Sequence, residues 1–204
     1  AQAMLRDNTT INERTDFSVT NVETTTGTLY KTNKTEDGSD VYYYSGNTTN
    51  NWVYFGGFYW RIIRTNEDGS VRMLYSGTSH NTTSGYIGRS AFNSTYTNPL
   101  YVGYMYGTTG NLTNNRTNTN NSTMKTNIDA WYLNNFIDEY KKYISKDAIY
   151  CNDRTTGSGT YSTSSSFHNG GYVRLYTNKT PSYKCGTDEK NNLYSTADTA
   201  DKFS

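Results

Sequence analysis

The residues able to do chemistry are few and scattered. Two cysteines stand at Cys151 and Cys185, and two histidines at His80 and His168. Zinc takes about four ligands of these types, and neither histidine has ligand spacing, so the set does not make a zinc site. In an exported chain a small, even number of cysteines reads as one disulfide, Cys151 to Cys185; two free thiols are the other reading. A bridged loop of that length would contribute roughly 3–4 kcal/mol through chain entropy. Oxygen-bearing side chains alternate in Glu36-Asp37-Gly38-Ser39-Asp40 and in Asn66-Glu67-Asp68-Gly69-Ser70. Calcium takes oxygen ligands at such spacing, but an EF-hand loop runs about twelve residues to a terminal Glu, which neither copy has. An Asp-Gly turn between strands explains the same residues with less. No metal and no cofactor are expected.

Nucleophilic catalysis has no better signature. No Gly-X-Ser-X-Gly elbow sits between a strand and a helix, and Gly157-Ser158-Gly159 falls in a loop-like stretch. A phosphate loop ending in Lys-Ser/Thr is missing from the sequence. Asp138 and Glu139 lie on the polar side of a helical segment, where a solvated face is the simpler reading. No catalytic residue is assigned, and the chain reads as a non-enzyme. The most concrete ligand chemistry is carbohydrate stacking. Trp52, Tyr101, Tyr104 and Tyr106 offer ring faces, with Asn and Thr as polar partners. The competing role for each tyrosine is core packing, because aliphatic residues are scarce.

Composition bounds the rest. The chain has 204 residues and is 33% hydrophobic, below the usual ~45–50%. Its 21 tyrosines compensate in part, since a half-buried ring keeps its hydroxyl in water. An aromatic content of 15% argues for a folded chain, because disordered chains are poor in aromatics. Nineteen basic residues balance eighteen acidic ones, so the clustered basic excess of a nucleic-acid binder is missing. No apolar run approaches the ~20 residues of a membrane span, so membrane attachment would come only through an anchor outside this chain. About ten Asn-X-Ser/Thr sequons occur, among them Asn8, Asn47, Asn93 and Asn111, and chance produces them in a chain so rich in Asn and Thr. The neutral, hydroxyl- and amide-rich composition is that of exported bacterial proteins, which places the chain outside the cell or on its surface.

The elements that must position these residues follow from periodicity. Residues 1–27 form a polar N-terminal segment, with a short helix expected near Leu5 to Asn12. Residues 28–204 read as a single α+β domain. Two hairpins are predicted around the related strings EDGSDVYYYSG (36–46) and EDGSVRMLYSG (67–77). Trp52 to Phe55 and Phe58 to Arg64 supply strands on either side of Gly56-Gly57. Period two puts Phe58, Trp60 and Ile62 on one face and Tyr59, Arg61 and Ile63 on the other. The adjacent apolar pairs Ile62-Ile63 and Met73-Leu74 predict a second hairpin covered on both faces at the centre of the sheet, with the first hairpin more exposed. A helix is expected over 123–147, capped by Ser122 or Thr123 and broken near Asn134-Asn135, with Ile128, Tyr132, Phe136 and Tyr140 facing inward. Ala148 to Cys151 and Gly171 to Tyr176 read as short strands. Residues 78–122 and 152–171 read as long irregular loops.

This order has a family look. Phe55-Gly56-Gly57-Phe58-Tyr59-Trp60-Arg61-Ile62-Ile63, the turn and Arg72-Met73-Leu74 resemble the opening of an uncharacterised bacterial domain group related to C-type-lectin-like and sulfatase-modifying-factor-like folds. Ser122-Thr123-Met124-Lys125 and Ala130-Trp131-Tyr132-Leu133-Asn134-Asn135-Phe136 are similar to that group's helical segment. The likeness spans residues 28–185 and extends to surface proteins of Firmicutes, which often carry a membrane or pilin-type N-terminal anchor. It implies a C-type-lectin-like domain for adhesion or ligand recognition, with a glycan or a host or cell-surface protein as partner. A structural or minor pilin-like subunit, self-assembling in a surface filament, is the alternative. Sulfatase-modifying chemistry is the remotest reading, since nothing near either cysteine is expected to lower a thiol pKa. The chain departs from the pattern at both ends: the anchor is not in it, and its polar last twenty residues read as a truncated C-terminus.

Overall fold

The structure, a computed structural model, describes residues 2–17, 27–80, 85–94, 102, 105–106, 120–145, 148–151, 156–159, 167–169, 172–183 and 193–195. The chain divides into two compact units. Unit 1 comprises Ala1–Tyr86 and Thr180–Lys184, and unit 2 comprises Ile87–Lys179 and Cys185–Ser204.

Unit 1 is built on a six-stranded mixed sheet. Its strands are β1 (Asn12–Glu13), β2 (Leu29–Thr32), β3 (Val41–Tyr44), β4 (Trp52–Phe55), β5 (Phe58–Thr65) and β6 (Val71–Tyr75), preceded by helix α1 (Gln2–Arg6). The β1–β2 pair is parallel and the other pairs are antiparallel. With the helices of unit 2, the architecture is α+β. Strand β5 is the axis of the sheet. Arg64 pairs with Tyr43 of β3 and with Arg72 of β6, while Trp60 pairs with Val53 of β4 and with Tyr75 of β6. Strands β3 and β4 therefore follow one another along one edge of β5, and β6 runs along the other. The N-terminal segment, set apart in sequence as residues 1–27, contributes buried Met4 and strand β1 to this unit.

The related strings close two hairpins with the same local device. Gly38 and Gly69 both take φ of 80°, where only glycine is unstrained. Asp37 Oδ1 accepts from the Ser39 amide at 2.8 Å, and Asp68 Oδ1 from the Ser70 amide at 2.9 Å. The Tyr-Ser-Gly exits also match: Ser45 N donates to Thr28 O and Ser76 N to Tyr59 O, each at 2.9 Å. The loops differ in length, with residues 33–40 joining β2 to β3 and residues 66–70 joining β5 to β6. Gly56 and Gly57, at φ 64° and 87°, form the two-residue loop from β4 to β5, the pattern of a type I′ hairpin turn.

Burial divides the second hairpin. Strand β5 is central and holds buried Trp60, Arg64 and Thr65, as expected. No residue of β6 is buried, however, and Leu74 is 58% exposed, while the first hairpin, expected to be the more exposed, holds Leu29, Tyr30 and Val41 in the core. The Ile62-Ile63 pair does not mark two covered faces. The register with β6 shifts between Ile62 and Arg64, so Ile63 sits in a bulge and is 45% exposed. An inserted residue changes the alternation, and this is how adjacent apolar residues arise without a second covering layer.

Unit 2 carries α2 (Thr123–Asn135) and α3 (Asp138–Lys141). Ser122 caps α2, its hydroxyl accepting from Lys125 N at 3.0 Å. The break falls at Phe136, whose extended backbone ends α2 just after Asn134-Asn135. Tyr132 and Phe136 are buried as the periodicity predicts, but the stripe also contains buried Lys125 and Asp129, and Leu133 faces solvent. Strand β7 (Ile149–Cys151) pairs antiparallel with β10 (Leu193–Ser195). Within the stretch expected to be loop, β8 (Thr156–Gly159) pairs with β9 (Phe167–Asn169). The strand expected at Gly171 to Tyr176 is instead a π-helix over Val173–Thr177, closed by Asn178 N donating to Val173 O at 2.8 Å. Stacking of Tyr172 on Tyr176, 4.9 Å between centroids, joins residues four apart, a spacing met on helices and not along one face of a strand.

Candidate functional site: an aromatic platform on β4 and β5

The Gly56-Gly57 turn fixes the register of β4 against β5, and the register assembles the site. Trp52 lies opposite Arg61, and Tyr54 opposite Tyr59. Directly opposed residues share a face of a sheet, so these four side chains line one surface. The intervening pairs, Val53 with Trp60 and Phe55 with Phe58, line the other. That second surface is the core side: Trp60 is 3% exposed, its indole N–H donates to Phe55 O at 2.8 Å, and its ring meets Tyr75 edge-on at 5.3 Å.

The outer surface has a different chemistry. Tyr54 is 62% exposed, and its ring centroid lies 5.0 Å from that of Tyr59. His80 is exposed and contacts two of the rings, Tyr59 at 5.4 Å and Trp52 at 5.9 Å. The Arg61 guanidinium sits over the Trp52 ring, 5.2 Å from its centroid, and its Nη2 donates to Thr48 O at 3.4 Å. Among the described residues, the Trp52 indole N–H, both tyrosine hydroxyls and the His80 ring nitrogens have no protein hydrogen-bond partner, and Arg61 meets no carboxylate. Buried Trp and Tyr normally satisfy their polar atoms, as Trp60 does. The outer cluster thus presents ring faces together with unused donors.

Two other clusters are internal. In unit 2 the Lys125 ammonium binds Asp129 Oδ2 at 2.7 Å and lies 5.5 Å from the Tyr106 ring centroid. In unit 1 the Arg64 guanidinium lies 4.2 Å from the Tyr183 ring centroid. The Asp-Gly turns use their carboxylates locally. The Ser39 amide holds the Asp37 carboxyl below its usual range, and the Ser70 hydroxyl, with its amide, does the same for Asp68. Among the described residues no group of three His, Cys, Asp or Glu side chains gathers in a way that could hold a metal ion. No described helix is long and apolar enough to cross a membrane.

Of the sequence-assigned ligand residues, Trp52 lies on the platform. Tyr106 is 8% exposed, bridges Asn121 and packs beneath Lys125, the core role weighed beside the ligand role for each tyrosine. Tyr101 and Tyr104 lie outside the described residues, as do Cys185 and the side chain of Cys151. Tyr54, Tyr59, Arg61 and His80 were not assigned a site role from sequence. The signal for three of them was present: reading Gly56-Gly57 as a two-residue turn places Trp52 and Tyr54 on the face already assigned to Tyr59 and Arg61. Comparison with protein-family models, with curated proteins and with solved structures gives no match.

Proposed function

We propose that this chain is a non-enzymatic, exported bacterial surface domain of C-type-lectin-like type, and that it recognises a glycan on the β4–β5 platform. The observation that carries the reading is the cluster of exposed Tyr54 and His80 with half-buried Trp52 and Tyr59, whose ring polar atoms have no hydrogen-bond partner among the described residues. A pyranose ring has an apolar C–H face and an equatorial belt of hydroxyls, and it is complementary to such a surface. Stacking takes the C–H face out of water, while the indole, phenol and imidazole groups answer the hydroxyls. The platform stands on paired strands, so its rings are ordered before a ligand arrives and less freedom is lost on binding.

The test is a glycan-array screen followed by titration of the hits, read from tryptophan fluorescence. Trp52→Ala and Tyr54→Ala should each weaken binding by roughly tenfold or more, the scale of an aromatic anchor. Both side chains are outside the core, so the variants should keep the circular dichroism of the parent. An array without hits, or hits indifferent to Trp52→Ala, would remove the platform from the proposal.

A further inference from the structure

Arg61 gives the platform a sign. Its guanidinium carries five N–H donors, of which one reaches Thr48 O, at the long distance of 3.4 Å. Its charge has no carboxylate partner among the described residues. Ion pairs described in unit 1 lie elsewhere: Arg6 with Asp7, and Lys31 with Glu13 and Asp40. The remaining platform side chains are Trp52, Tyr54, Tyr59 and His80, none of them acidic. A half-buried cation is thus placed over the Trp52 ring with one carbonyl partner, and with no carboxylate among the described residues to answer its charge. The guanidinium carbon lies over the Trp52 ring, 5.2 Å from its centroid, and a guanidinium takes an anion in its own plane, along the edge that carries its N–H donors.

We infer that the platform selects an acidic saccharide, its carboxylate taken by Arg61 while the sugar ring stacks on the neighbouring aromatic faces. This inference rests on the glycan reading above and narrows its ligand class. A planar carboxylate matches the guanidinium fork, and two parallel N–H···O bonds fix its orientation as well as its charge. A neutral sugar would leave that fork unanswered in a partly dry site. A flexible acidic peptide would satisfy the charge but would not offer the flat C–H face that the rings require.

Trigalacturonate and its fully methyl-esterified form make a matched pair of probes, equal in ring chemistry and different in charge; sialyllactose and lactose make a second. Calorimetric titration should show the acid member binding about tenfold or more tighter, the range of a charge-assisted bidentate contact. Arg61→Gln should abolish that difference, and a circular dichroism spectrum like the parent's reports that the sheet is intact. Arg61→Lys, retaining charge without the fork, should fall between. Equal affinity for acid and ester would overturn the inference while leaving the glycan reading standing, provided Trp52→Ala still weakens both. A preference for the acid that persists in Arg61→Gln would likewise overturn it. Tetraglutamate binding as tightly as trigalacturonate would overturn the saccharide class, since charge alone would then suffice. Binding of no saccharide at all would remove both readings.

Discussion

Trp52 and Trp60 show how position in a register divides one residue type between two jobs. Trp60 faces inward, satisfies its indole N–H on Phe55 O and is 3% exposed. Trp52 faces outward with no hydrogen-bond partner for its N–H among the described residues, and its ring carries Arg61 and His80. Sequence showed the type of each but not its satisfaction, which depends on a carbonyl five residues away. Lys125 is the opposite case, a charged residue on a stripe expected to be apolar. It is 0% exposed and paired with Asp129 four residues on, at 2.7 Å. Removing one member of a buried pair leaves the other charge without its compensation, at a cost of about 3–5 kcal/mol. Lys125→Met should therefore lower stability to urea by that order, whereas Lys125→Met combined with Asp129→Leu should recover most of the loss. A single substitution costing under about 1 kcal/mol would show that the pair is not desolvated in solution.

At the scale of elements, turns were the most legible part and pairing partners the least. The Asp-Gly strings and Gly56-Gly57 announce their hairpins because the chain needs positive φ there and few residues accept it. The break in the long helix was legible in Asn134-Asn135 for a similar reason, since neither residue favours a helix interior. What could not be read locally was what lies beside each element. Strand β6 looks like a central strand by composition, yet it is hydrogen-bonded in the described structure to β5 alone, and its aliphatic residues remain half-buried or exposed. The π-helix at Val173–Thr177 was missed because Tyr-Val-Arg-Leu-Tyr alternates as a strand would, while the stack of Tyr172 on Tyr176 favours coiling. The tightest turn gives a clean test. An added Cβ at Gly57 meets no atom within 4 Å, so only the φ of 87° opposes substitution. Gly57→Ala should cost about 1–2 kcal/mol, measured as a shift of the denaturant midpoint, and Gly57→Asn should cost less because Asn tolerates that conformation. An alanine variant as stable as the parent would mean that the turn relaxes to another type. Loss of glycan binding in the same variant would follow from the register it sets for Trp52 and Tyr54.

At the scale of the whole molecule, the chain leaves unit 1 at Tyr86 and returns to it at Thr180. No local pattern announces this return, because a contact between segments so far apart in sequence is set by the packed fold and leaves no periodicity. Its anchor is Tyr183. The Tyr183 amide donates to Lys34 O at 2.8 Å, its ring meets Tyr43 edge-on at 6.1 Å, and it lies beneath the buried Arg64 guanidinium. Burial pushes the Tyr183 phenol up to about 12, against a smaller opposing pull from the Arg64 charge. In the unfolded chain the same group titrates near 10. The folded state thus holds this proton more tightly, so the associated stability is fully present below about pH 10. It is lost as the pH rises from there through 12. Tyr183→Phe keeps the ring, its edge-on contact and its place beneath Arg64, but removes the proton. The parent should lose stability between pH 10 and pH 12 more steeply than Tyr183→Phe does, as followed by urea unfolding at fixed pH. Tyr183→Ala removes the ring as well and should destabilise unit 1 at neutral pH by about 2–3 kcal/mol, through lost packing and the loss of the guanidinium's aromatic partner. Identical alkaline profiles for the parent and Tyr183→Phe would mean that the phenol is solvated and that the return segment does not close over Arg64.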